Sequence, residues 1–196
     1  MEGDVLPQVR RSTGFLCDVL RDQGPFDGIV GFSQGAAMTA LFLGLLQNQN
    51  SKWLSSSAPQ LHNLLVERKA ADLVWPRFVL LFCGFNPFVQ AIERLVSFDG
   101  KIPIPNFHMG GRKDTVTPMY RGRQLATSYF GKPTIEFHEG GHGIPTTGPF
   151  IQMYQDFIRN AMKRSVHFSK ARDNKGDKGG HHDAAAARHQ LSVESD

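Results

Sequence analysis

Cysteine is scarce in this chain, with only two among 196 residues, Cys17 and Cys83. Neither belongs to a C-x-x-C pair, and two thiols do not make a disulfide framework, so stapled secreted scaffolds are excluded. Long apolar runs are lacking too. The longest, Ala36 to Leu46, is too short and too interrupted to cross a bilayer. The opening residues Met1-Glu2-Gly3-Asp4 carry no basic stretch followed by an apolar one, so no secretory leader is read there. A cytoplasmic, reducing location is the expectation. The net charge is only +4, and the basic residues near the end, such as Lys170, Arg172 and Lys175, are diluted by Asp173, Asp177 and Asp183. No clean cationic stripe results, and nucleic acid is not an expected partner.

What is present suits a globular domain: 40% hydrophobic and 20% charged residues. Val5 to Leu20 has a helical apolar face and stops at Gly24-Pro25. Phe26 to Phe32 reads as a buried strand running into a glycine-rich turn, and Ala36 to Leu46 as a helix apolar on all sides, hence buried. Gln47 to Ser57 reads as a polar loop and Gln60 to Leu73 as a helix. Arg77 to Phe85 is a continuous apolar run, the mark of a strand covered on both faces of a parallel sheet. Helices are predicted over 87–96, 118–130 and 150–162, and further strands over 104–109 and 134–138. Strand and helix alternate four times, which predicts an α/β fold with a parallel sheet. The folded domain is expected to span 1–166. The remainder, 167–196, has few large apolar residues and is expected to be a disordered tail.

Gly31-Phe32-Ser33-Gln34-Gly35 matches G-x-S-x-G. Alone this pattern arises by chance about once in ten to fifteen chains of this length. Between a buried strand and a buried helix it has the setting that a nucleophile elbow needs. Ser33 would take a strained backbone conformation there, with Gly31 and Gly35 relieving crowding against strand and helix. The Gln34 N–H, at the helix start, would point at a developing oxyanion. Such a serine needs an acid and then a histidine, each beyond the end of a later strand. Asp114 follows the third strand in GGRKDTV, and His142 follows the fourth in EGGHGIP. Parallel strands share a C-terminal edge, so all three fall on one side of the sheet. His142 would take the serine proton while Asp114 holds its tautomer.

Other residues compete. Asp99, in SFDGK, reads as a turn residue. His138 lies on the fourth strand and His108 within the third, the latter as a satisfied core histidine. Asp27 reads as a loop residue holding backbone amides. His181-His182-Asp183 has metal-ligand chemistry but no further ligands in the ordered part, so no metal site is assigned.

Through GPFDGIVGFSQGAAM, FVLLFCGF, GGRKDTVTP and HEGGHGIP, covering about Val9 to Ile158, the sequence resembles the FSH family of serine hydrolases. The resemblance implies an α/β-hydrolase fold and cofactor-free hydrolysis of acyl esters or thioesters, including release of acyl or polyketide chains. Carried over by motif, the nucleophile is Ser33, the acid Asp114 and the base His142. The family's opening strand and Leu-His-Gly turn are not matched, since this chain starts at about the helix before the elbow. A missing second oxyanion donor is expected to cost roughly 10²–10³ in turnover, and the strand Phe26 to Phe32 is expected to expose an edge open to self-association. An inactive relative serving as a binding or interaction module is the alternative. Phe88, Val89, Ile92, Leu95 and Phe98, within 85–105, either cap the site with an apolar surface suited to acyl groups or pack on the core.

Overall fold

A computed structural model describes residues 5–50, 52–86 and 100–176. The chain divides into two units, Met1–Met162 and Lys163–Asp196. Helix α1 spans Val5–Gln23, strand β1 Gly28–Phe32, α2 Gln34–Gln47, α3 Lys52–Ser57 and α4 Pro59–Glu67, followed by a short 3-10 turn at Ala70–Asp72. Then come β2 (Phe78–Phe82), β3 (Asn106–Gly111), α5 (Met119–Tyr129), β4 (Thr134–His138) and α6 (Gly148–Gly176). The four strands pair in the order β1-β2-β3-β4, all parallel.

The apolar patterning places two cores, one on each face of the sheet. Strand β2 is buried at all five positions. Its Val79 and Leu81 turn toward α2, whose Leu41, Phe42 and Leu45 are buried with Leu61 and Leu65 of α4. Phe78, Leu80 and Phe82 alternate to the other face, where Tyr154 and Phe157 of α6 cover them. Each such large side chain withdrawn from water contributes about 1.5–3 kcal/mol. A strand needed by two cores has no room for polar residues, hence the unbroken run in the sequence.

Strand β1 is built differently. Ile29 packs against the α2 core, but Val30 is 63% exposed and Phe32 is 41% exposed on the opposite face. Its outer edge pairs with no strand among the described residues.

Three expectations need correction. The predicted polar loop 47–57 contains α3, anchored because Leu54 and Ala58 are buried. The helix expected over 60–73 ends at Glu67, since Lys69 adopts a left-handed conformation (φ 50°) and starts the 3-10 turn instead. The closing helix runs past Met162, to Gly176. The helix predicted over 87–96, the apolar side chains proposed as a cap, Asp99, His181, His182 and Asp183 lie outside the described residues, as do 177–196. No helix among the described residues is long and apolar enough to cross a membrane.

Candidate active site

Ser33 stands between the last residue of β1 and the first of α2, with φ 53° and ψ −118°. Two sets of backbone bonds hold it in this costly region. Its N–H donates to the Phe82 carbonyl (2.8 Å), and its own carbonyl accepts from the N–H groups of Ala36 and Ala37 (3.0 and 3.2 Å). The turn is tight enough to demand one glycine: a Cβ on Gly31 would lie 2.7 Å from the Ala36 Cα. Gly35 differs from expectation, for a Cβ there meets nothing within 4 Å. Its neighbourhood is open, so the steric need expected at both glycines holds only at Gly31. Gln34 occupies the first position of α2, where backbone N–H groups have no intrahelical acceptor.

The acid and the histidine are brought together by two glycine-rich loops that bond to each other. The Arg112 N–H donates to the His138 carbonyl (2.8 Å) and the Lys113 N–H to the Gly140 carbonyl (3.0 Å). Gly111 permits the approach, because any Cβ there would collide with the carbonyl oxygens of Gly140 and Gly141. The result is a continuous chain of contacts. His142 Nε2 lies 3.0 Å from Ser33 Oγ, and His142 Nδ1 lies 2.8 Å from Asp114 Oδ2. The other carboxylate oxygen, Oδ1, accepts from the N–H groups of Val116 (2.9 Å) and Thr117 (2.8 Å).

The Asp114 side chain is fully buried, whereas the ring of His142 is one-fifth exposed. Burial alone would raise the pKa of Asp114. The Thr117 N–H, the His142 ring and the Val116 N–H outweigh it and hold the carboxyl below the usual range. An ionised carboxylate only accepts hydrogen bonds, so Nδ1 of His142 must carry the proton. In the neutral ring Nε2 is then the acceptor, and the Ser33 hydroxyl donates to it. The ring of Phe32 lies 5.0 Å from that of His142.

The competing residues occupy other places. His138 is buried; its Nδ1 accepts the Gly140 N–H (3.1 Å), which braces the loop leading to His142. His108 is buried in β3 with Nε2 3.1 Å from the Asn106 side-chain oxygen, and burial pushes its pKa down to about 3. Asp27 is exposed and holds a guanidinium, that of Arg77 (3.1 Å), while its carbonyl accepts the Arg77 N–H (2.7 Å).

One neighbour of the site reads in the sequence only as a small buried hydrophobe at a strand end. Cys83, just past β2, has φ 49° and is buried, with Sγ 3.5 Å from the Gly143 carbonyl oxygen. Burial raises its thiol pKa. Its sulfur lies within 4.8 Å of ligand atoms on both Asp114 and His142. The sequence marks it only as the end of an apolar run. The amides bracing Asp114 were better signposted, since Asp followed by Thr-Val-Thr-Pro is turn chemistry in which the side chain caps later N–H groups.

The family described as Serine hydrolase (FSH1) matches residues 3–154. The chain belongs to that family. The human Esterase OVCA2 is 32% identical over 150 residues, covering 76% of this chain and 56% of the human protein. The bovine Esterase OVCA2 is 33% identical over 143 residues, covering 73% and 53%. The chain thus spans about half the length of the curated relatives it matches. In three dimensions it resembles Zea mays acyl-protein thioesterase 2, with a TM-score of 0.53 at 15% identity, covering 79% of this chain and 65% of that one. At that identity the likeness speaks to the fold alone, which is the α/β-hydrolase fold.

Proposed function

We propose that this chain is a serine hydrolase that cleaves acyl esters or thioesters, with Ser33 as nucleophile, His142 as general base and acid, and Asp114 as the orienting acid. The observation that carries this reading is the unbroken relay from Ser33 Oγ through His142 to Asp114 at 3.0 and 2.8 Å. As Ser33 Oγ attacks the acyl carbonyl carbon, its proton passes to His142 Nε2. The imidazolium so formed is stabilised by the buried Asp114 carboxylate. Charge accumulates on the carbonyl oxygen, for which the Gln34 N–H at the positive end of α2 is the assigned donor. His142 then protonates the departing alcohol or thiol, and water repeats the sequence to free the acid.

No cofactor is called for in these steps. Release of an acyl or polyketide chain from a carrier is the finer reading, and it rests on the family resemblance. A purely structural or binding role on the same sheet would leave the strained Ser33 and its 3.0 Å contact with a histidine without purpose. Hydrolysis of p-nitrophenyl butyrate and of a short acyl thioester by the wild-type chain and by Ser33→Ala tests the proposal. Turnover by the wild type and background rates for the variant are expected. Equal rates for the two would overturn it.

A further inference from the structure

Cys83 is an unusual choice at its position. A left-handed φ of 49° suits glycine, yet the residue carries a side chain, and that conformation places a thiol under the relay. Its Sγ, a ring nitrogen of His142 and a carboxylate oxygen of Asp114 lie within 4.8 Å of one another. The nitrogen that faces Asp114 is Nδ1, at 2.8 Å.

We propose that Cys83, His142 and Asp114 form a site for one borderline-soft divalent cation, such as Zn²⁺ or Cd²⁺, whose binding switches the hydrolase off. Sulfur, imidazole nitrogen and carboxylate oxygen are the donor set such ions select. Tetrahedral zinc, with bonds of about 2.3 Å to sulfur and about 2.0–2.1 Å to nitrogen and oxygen, sets its donors roughly 3.3–3.6 Å apart. The Nδ1–Oδ2 pair must open slightly from 2.8 Å, and the sulfur, within 4.8 Å of both partners, must move in by up to about 1.2–1.5 Å. A thiolate and a carboxylate also cancel the charge of a divalent ion, which removes the main penalty against burying it.

The proton balance explains the switch. The thiol proton leaves to water as the metal–sulfur bond forms. The metal takes the Nδ1 lone pair, so the ring proton relocates to Nε2, which can then only donate toward Ser33. A ring that donates to Oγ cannot accept its proton. The inhibitory half of the proposal rests on the hydrolase reading above, whereas the binding half does not.

The test uses the 196-residue chain with Cd²⁺ alone, followed by calorimetry and by cadmium–thiolate absorption in the ultraviolet. The wild type and Ser33→Ala are expected to take up one ion with the thiolate band, and Cys17→Ala to do the same. Cys83→Ala and Cys83→Gly, the latter suited to φ 49°, are expected to lose the band and bind at least about tenfold more weakly. In the wild type, ester hydrolysis is expected to fall in step with occupancy and to return on adding EDTA; whatever rate the Cys83 variants show should be insensitive to the ion. A band that survives in both Cys83 variants, or that disappears in Cys17→Ala, overturns the site. Full hydrolysis at full occupancy overturns the switch. Should the wild type prove as inactive as Ser33→Ala, the hydrolase reading fails, and the cadmium titration still decides the site.

Discussion

Strands β1 and β2 lie side by side in register, and each is followed by a non-glycine residue with a positive φ, Ser33 at 53° and Cys83 at 49°. Both have a positive φ, and each residue's N–H is held by a carbonyl of the neighbouring strand, Ser33 by Phe82 (2.8 Å) and Cys83 by Met109 (2.7 Å). Their surroundings differ. Strand β2 is buried throughout, while β1 exposes Val30 and half-exposes Phe32. A strained residue costs of order 1–3 kcal/mol and persists only where neighbours over-determine it. At Ser33 the strain aims a hydroxyl at a histidine that is one-fifth exposed; at Cys83 it holds a buried thiol near that histidine and the buried Asp114. Two strand ends with a positive φ thus bring a hydroxyl and a thiol close to one histidine.

The largest effect that separates the two ends is expected from Asp114→Asn. An amide in place of the carboxylate favours the wrong tautomer of His142, and turnover should drop by up to about 10⁴ with the fold retained. Steady-state kinetics alongside a thermal melt would check both halves. A drop of only a few-fold would mean that the Ser33 end works without the acid.

The two glycines of the elbow should part company next. Gly31→Ala pushes a Cβ to 2.7 Å from the Ala36 Cα, so the start of α2 must shift. A loss of about 1–3 kcal/mol is expected in urea unfolding, as for other overpacked sites. Gly35→Ala meets nothing within 4 Å and should be neutral or stabilising by up to about 1 kcal/mol. Equal losses at both positions would restore the symmetric steric reading of the motif.

A further effect probes the buried side. His108 is held neutral by burial, with its pKa pushed down to about 3 against about 6.5 in an unfolded chain. Between those values the unfolded chain binds a proton that the folded one does not, so stability should fall as the pH drops from about 6.5 toward 3, by up to about 1.4 kcal/mol per unit. Asp114 acts in another window. Its lowered pKa gives stability that is full above about pH 4 and lost as the pH falls through the folded value. Denaturation between pH 6.5 and 4.5 therefore isolates His108, and His108→Gln should flatten the slope there. An unchanged slope would show that the buried face takes up protons elsewhere.

Much of this architecture was legible in the sequence because it is written in local patterns. The run FVLLF is apolar at every position, since both faces of β2 are covered, and the strand 134–138 was placed with its observed bounds. Ser33, Asp114 and His142 stand out because each follows a strand end within a glycine-rich turn, and the structure brings the three side chains into contact. What remained hidden depends on contacts distant in sequence. The position of Cys83 beside the relay follows from His142, about sixty residues on, folding back over β2. The break at Lys69 and the short helix α3 depend on which of a few apolar residues find the core, as Leu54 does. The open space at Gly35 cannot be read from a motif that treats its two glycines alike.

The central claim is that Ser33 is a nucleophile activated by His142, and covalent capture addresses it most directly. The wild-type chain and Ser33→Ala would each be exposed to a fluorophosphonate and their intact masses and peptides measured. The account predicts one adduct on the wild type, located at Ser33, and none on the variant. An unlabelled wild type, or an adduct that survives in Ser33→Ala, would contradict it.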